Sequence, residues 1–322
     1  MAPAAAPELR SDPPNRYTVV RGDTLWDISS RFLRDPWRWP EVWHVNPQVE
    51  NPHLIYPGDV ITLRYIDGKP VLEVQRGRPV VRLSPEAREM PRDASIAAIP
   101  LEAIRPFLSR PRVLNPGELD GAPYVLSMEE GRFMGAAGTR FYARGLAEDV
   151  GRYTVLREGQ VYRHPVTDEV LGLEALHVGD AHVQRVGDPG TLHIDSARRE
   201  VLRGDRLLPA EADPWDHRFV PRAPERAVEG HIIAVMDGVT QIGQHQVVVL
   251  DLGEREGMEP GHVMAVYQRG AVMRDEIARE NVRLPDERAG ELMVFRVFDR
   301  VSYALIMRAS GPMRVLDNVR MP

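Results

Sequence analysis

Shifted against itself by 111 residues, the C-terminal part of the chain aligns in one register. Val155 falls on Val266, Gly159 on Gly270, Val161 and Arg163 on Val272 and Arg274, Glu169 on Glu280, and Leu173 on Leu284. Further along, Gly179 falls on Gly290, Val183 on Val294, Arg185-Val186 on Arg296-Val297 and Asp188 on Asp299. With one added residue, Gly204-Asp205-Arg206-Leu207-Leu208-Pro209 then meets the chain end that begins Leu316-Asp317-Asn318-Val319. Self-similarity of this kind means one folding unit used twice. Leu292, Val294, Arg296, Phe298 and Val301, Tyr303, Leu305, Met307 alternate with the period of half-buried strands. The expectation is two mainly-β repeat units, 123–212 and 228–322, joined by a polar, Pro-rich link at 213–227.

The N-terminal part has a different character. Four of the five tryptophans, Trp26, Trp37, Trp39 and Trp43, fall in one short window. Tyr17-Thr18-Val19-Val20 reads as a strand. Gly22-Asp23-Thr24 reads as a turn and helix start, with Asp23 or Thr24 able to cap the first free N–H groups. Leu25, Ile28, Ser29 and Phe32 recur at helical spacing. Pro36 opens a second helix, whose face carries Trp39, Val42, Trp43 and Asn46, and Asn46-Pro47 ends it. Ile55-Tyr56-Pro57-Gly58-Asp59 turns into the strand Val60-Ile61-Thr62-Leu63. The spacing places Trp26 and Trp43 in the core of this module and leaves Trp37 and Trp39 open between core, docking and ligand roles. Residues 1–15, rich in Pro and Ala, read as a flexible leader. Residues 67–122 read as a connector, with a turn at Asp67-Gly68-Lys69-Pro70, strand-like Val71–Val74 and Val80–Leu83, and a short helix candidate at 101–108. The fold class is thus α+β overall: a small βααβ module, 16–66, followed by two mainly-β units.

Composition narrows the chemistry. The chain has 322 residues and no cysteine, which removes disulfides, thiolate metal sites and cysteine nucleophiles. Of 41 basic residues all but Lys69 are arginine, so a phosphate loop of the GxxxxGK[ST] type is absent, and a pyridoxal Schiff base or a Ser-Lys nucleophile would have to use Lys69, which reads as a turn tip. A formal net charge of −6 argues against a general nucleic-acid or anionic-membrane surface. No run of apolar residues is long enough to span a bilayer as a helix. His164, His177, His182 and His193 show no metal-ligand spacing and face Asp275, Arg288, Met293 and Ala304 in the repeat register. No G-x-S-x-G or S-x-x-K signature occurs. No cofactor and no catalytic residue is expected.

The strings Tyr17 to Ser29, Asn46-Pro47 and Ile55 to Ile61 together resemble the LysM domain at nearly every motif position, in order and spacing. The resemblance covers about a sixth of the chain. It implies a module that binds N-acetylglucosamine-containing glycans, in bacteria usually peptidoglycan. It also implies that two neighbouring loops form the site: Gly22, Asp23, Thr24 and Leu25 in the first, and Asn46, Pro47, Ile55, Tyr56 and Pro57 in the second. Backbone groups there would bond an acetamido group while apolar side chains cover its methyl. The stretch Arg34 to Pro40 is longer and more aromatic than the usual inter-helix connection.

The functional expectation is a non-catalytic peptidoglycan-binding protein of the bacterial envelope, in the periplasm after loss of a signal peptide, with the β units as scaffold or protein-partner surface. The alternatives are a peptidoglycan hydrolase with its site in the β region and a structural adaptor of a large assembly such as a phage tail.

Overall fold

A computed structural model describes residues 6–43, 55–75, 99–100, 103–104, 112–210, 219–236 and 242–322. Strand β1 (Arg16–Thr18) leads through a turn to helix α1 (Leu25–Phe32). Thr24 caps α1: its Oγ1 accepts from the Asp27 N–H at 3.1 Å, and the Asp27 carboxylate accepts from the Thr24 N–H at 3.2 Å. The apolar stripe predicted for this helix is the buried one, Leu25, Ile28, Ser29 and Phe32, with Trp26 beside it. Pro36 opens a 3₁₀ turn, Pro36–Arg38, that runs into α2 (Trp39–Trp43). Trp39, Val42 and Trp43 face inward, and the Trp39 and Trp43 rings meet edge to face at 6.4 Å. Asn46 lies outside the described residues.

Strand β2 (Val60–Ile66) pairs with β1 and also with β3 (Lys69–Gln75), the latter in unbroken register from Val60↔Gln75 to Ile66↔Lys69. The hairpin turns at Asp67 and Gly68, both at positive φ, as an Asp-Gly pair favours. Residues 69–75, expected in a connector, are therefore the third strand of this sheet, and Val71, Leu72 and Val74 are buried. The leader expectation fails at 8–10. Leu9 bridges Leu33, the Arg10 N–H donates to the Phe32 carbonyl at 2.9 Å, and the Arg34 N–H donates to the Glu8 carbonyl at 2.9 Å. The strand expected at Val80–Leu83 lies outside the described residues, as does the 101–108 helix except for helical Ala103 and Ile104. In the expected link at 213–227, Arg222 forms a parallel bridge with His262.

The remainder is β structure. Its strands are β4 (Arg112–Leu114), β5 (Tyr124–Met128), β6 (Met134–Gly135), β7 (Arg140–Arg144), β8 (Arg152–Arg163), β9 (Val170–Arg185), β10 (Gly190–Ala197), β11 (Val201–Leu202) and β12 (Arg206–Pro209). There follow β13 (Glu229–Val235), β14 (Val247–Leu250), β15 (Val263–Gln268), β16 (Val272–Arg274), β17 (Asn281–Arg283), β18 (Glu287–Val297), β19 (Ser302–Ala309) and β20 (Asn318–Arg320). Strands β5-β7-β10-β9-β8-β12 pair in a ring, with β4 added to β9. Strands β13-β14-β19-β18-β15-β20 form a closed barrel in the same cyclic order.

The correspondence extends to register. Val125↔Ala143 and Ser127↔Tyr142 in the first ring match Ile232↔Leu250 and Ala234↔Val249 in the second, each shifted by 107, with the same skipped residue between them. Ala181↔Ile194 and Asp180↔Ser196 match Leu292↔Ile306 and Glu291↔Arg308, so a second bulge coincides. The pairs Leu192↔Val183 and Thr191↔Arg185 match Ala304↔Val294 and Tyr303↔Arg296, which places a third. The shift is 111 on β9 and 112 on β10, so the added residue falls in the hairpin between them. Bulges re-aim strands at corners, so three shared ones specify the same closed curvature.

The interiors correspond as well. Val155, Ala181, Ile194 and Leu207 take the places of Val266, Leu292, Ile306 and Val319. Where one ring is larger the other compensates: Phe141 and Ala143 stand where the second barrel has Val248 and Leu250. Volume-conserving exchange of this kind keeps a core filled.

Strands β18 and β19 of the second barrel are not half-buried, however. From Ala289 to Arg296 and from Ser302 to Met307 every residue is buried. Ala304 and Ile306 face the barrel core, whereas Tyr303 points the other way and lies under Tyr162 of the β8–β9 hairpin. Burial raises both phenol pKa values. The bulge at residue 295 also breaks the alternation, so Arg296 is out of phase with Leu292 and Val294.

Four turns share one construction: Val20-Arg21-Gly22-Asp23, Tyr56-Pro57-Gly58-Asp59, Leu202-Arg203-Gly204-Asp205 and Arg314-Val315-Leu316-Asp317. In each, the aspartate N–H returns to the carbonyl of the first residue at 3.0–3.2 Å. The aspartate carboxylate accepts from the first residue's N–H at 2.8, 3.0, 2.7 and 2.7 Å in turn. The third residue sits at φ +96°, +96°, +91° and +77°. That conformation suits glycine, and Leu316 is the exception. Leu316→Gly is expected to raise the stability of the second barrel by about 1 kcal/mol, from relief of left-handed strain net of the entropy a glycine adds to the unfolded chain. Denaturant unfolding checks it.

Candidate functional site

The loops 20–23 and 55–59 are held together by main chain. The Val19 N–H donates to the Asp59 carbonyl and the Gly58 N–H donates to the Val19 carbonyl, both at 2.8 Å. Each loop is one of the aspartate-closed turns, so its backbone is set before any ligand arrives. Asp23 also accepts from the Tyr17 hydroxyl at 3.0 Å, and burial followed by the Asp23 hydrogen bond raises the Tyr17 pKa. The Arg31 guanidinium lies 4.4 Å from the Tyr17 ring centre.

The expected site residues separate by burial. Leu25 and Ile55 are 1% and 0% exposed and belong to the core, so their side chains offer no surface to a sugar. Thr24 is buried as the helix cap. Gly22 is exposed, and Asp23, Tyr56 and Pro57 are partly so. The N–H groups of Asp23, Thr24 and Tyr56 are bound internally. Asn46 and Pro47 lie outside the described residues. Of the four tryptophans, Trp26, Trp39 and Trp43 are buried, and Trp37 alone keeps a partly exposed ring. What the structure brings together is thus a short ridge: Val20, Gly22 and Asp23 on one loop, Tyr56 and Pro57 on the other. Val20, 53% exposed, is the apolar member that motif reading overlooked; it follows the buried Val19 just past the end of β1, and the alternation of the expected strand 17–20 points it outward.

This capped helix, second short helix and paired terminal strands agree with a comparison against known families, in which residues 17–64 match the LysM domain. Residues 17–64 are a LysM domain. A LysM domain implies binding of glycans that contain N-acetylglucosamine, peptidoglycan among them, and such domains are typical of proteins associated with the cell envelope. The chain is also 35% identical over 60 residues to Uncharacterized protein YqbP of Bacillus subtilis (strain 168), a stretch that covers 16% of this chain and 27% of that protein. The chain thus spans about a quarter of the length of this curated relative. No described helix is long and apolar enough to cross a membrane.

Outside the LysM domain, the polar clusters of the first ring are built around carboxylates. Asp180 accepts from the Ser196 hydroxyl at 2.8 Å and stands 3.1 Å from His177 Nε2, so the carboxylate lies between hydroxyl and imidazole. A nucleophile–base relay needs the imidazole in the middle. His182 Nδ1 meets Asp195 at 2.6 Å. Among the described residues no group of three or more potential metal ligands gathers.

Proposed function

We propose that this is a non-catalytic peptidoglycan-binding protein of the bacterial cell envelope, attached through the LysM domain, with the two β rings as a duplicated scaffold that presents surfaces to protein partners. The observation that carries the reading is the pair of aspartate-closed turns stitched side by side in the LysM domain, which leaves Gly22, Asp23, Tyr56 and Pro57 together at the surface. A shallow ridge that sets Gly22 and Asp23 beside Val20, Tyr56 and Pro57 mixes polar and apolar surface, which suits a neutral acetamido sugar better than a charged ligand. Duplication is supported by the coincident strand order, registers and bulges of the two rings. The absence of cysteine and of a nucleophile motif supports a binding role.

Cosedimentation with purified sacculi tests it. The full chain is expected in the pellet and the chain lacking 16–66 in the supernatant. Retention without 16–66, or a clearing band on a peptidoglycan zymogram, would overturn the reading.

A further inference from the structure

Strands β9 and β10 set His182 directly across from His193, and the two rings meet 5.2 Å apart, centre to centre. Asp195, in the bulge that follows on β10, stands 2.6 Å from His182 Nδ1. An ionised carboxylate only accepts, so Nδ1 carries the proton and donates it to Asp195, and Nε2 turns its lone pair the other way. The His182 and Asp195 side chains are 37% and 34% exposed, and His193 is partly exposed.

The other histidines of this ring are committed elsewhere. His164 Nδ1 accepts from the N–H groups of Val166 and Thr167, so its proton sits on Nε2. His177 turns Nε2 to Asp180, and its Nδ1 is buried. Closure of the ring does not call for imidazoles at 182 and 193 either. In the second barrel the same register pairs Met293 with Leu305, both buried.

We propose that His182 and His193 form a surface site for one divalent transition-metal ion of the zinc and copper class, with Asp195 orienting His182 and water completing the coordination shell. Two imidazoles bound tetrahedrally to one such ion have ring centres about 5 Å apart, which is the spacing of this pair. A metal-bound histidine almost always gives its other ring N–H to a carboxylate, a carbonyl or water, and Asp195 already holds that of His182. Among the described residues no hydrogen bond holds the His193 ring, so it turns toward the ion without losing one. Imidazole suits zinc, copper and nickel, whereas magnesium and calcium take oxygen ligands. Of the cations flanking the pair, Arg140 beside His193 is held by Glu129 at 2.6 Å. Arg152, opposite His182 on β8, is exposed and opposes a bound cation. This inference does not depend on the glycan reading.

Isothermal titration of the full chain with Zn²⁺ tests it. The wild type is expected to bind one equivalent that His182→Ala/His193→Ala does not, with the same unfolding transition in both. Mg²⁺ should not fill that site, and Cu²⁺ should bind there more tightly than Zn²⁺. Asp195→Ala, which leaves both imidazoles in place, should weaken the site by about 10–100-fold. Arg152→Gln should tighten it by about twofold to fivefold. In nitrogen-resolved NMR spectra Zn²⁺ should shift His182 Nε2 while Nδ1 keeps its proton. Equal stoichiometry in the wild type and the double-histidine variant, or an affinity indifferent to Asp195, would overturn the proposal.

Discussion

Trp39→Ala is expected to release the protein from sacculi while leaving the two β rings folded. The Trp39 ring is 1% exposed and packs edge to face on Trp43 in a module of some sixty residues. Truncating a buried tryptophan costs about 3–5 kcal/mol, and a module of this size has a total stability of only about 3–9 kcal/mol. The turns that carry Gly22 and Tyr56 hold their geometry through main-chain bonds among Val19, Gly58 and Asp59, of which Val19 and Asp59 are buried. Retention should fall at least tenfold. Thermal unfolding should show the early transition of the LysM domain lost and the later one unchanged. Trp39→Phe, which keeps most of the buried area, should keep most of the binding. Loss of retention with an intact early transition would instead place Trp39 in the binding surface.

The second large effect is expected at a pair of glycines. Gly179 and Gly290 occupy the same bulge in the two rings, and a Cβ at either would overlap the carbonyl oxygen opposite, that of Ser196 or of Arg308. Backbone cannot rotate away as a side chain can, so strand separation must widen locally. Gly179→Ala and Gly290→Ala should each destabilise by about 1–3 kcal/mol, by similar amounts, and the double variant by nearly the sum, since the sites lie in separate rings. Chemical denaturation gives all three values. A tolerated alanine at one site and a large loss at the other would mean that the two bulges are not equivalent.

The alignment of Gly179 with Gly290 is legible in the sequence, because both stand in the 111-residue register. So are the helix stripe of Leu25, Ile28 and Phe32 and the burial of Trp26 and Trp43, which depend on spacing along one element. Features that need a partner distant in the chain were less legible. Val71–Val74 looked like any short apolar strand, and pairing with β2 is what makes it part of the LysM sheet rather than a connector. Leu25 and Ile55 sit in motif positions that suggested ligand contact, and only packing assigns them to the core. Alternation in β18 and β19 predicted one wet face, but both faces of these strands are buried, with Tyr303 beneath Tyr162.

From residue order alone come the LysM module, the repeat register and the exclusion of thiol chemistry, because each is a local pattern or a count. Tertiary structure decided the closure of the two β regions into six-stranded rings and the contrast between the buried Tyr162 and Leu171 and the exposed Met273 and Val282. The physical reason is that hydrogen-bond pairing and burial are properties of two segments at once. Tyr162 and Leu171 are buried while Met273 and Val282, at the matching positions of the second ribbon, are exposed, and no periodicity within either ribbon records which.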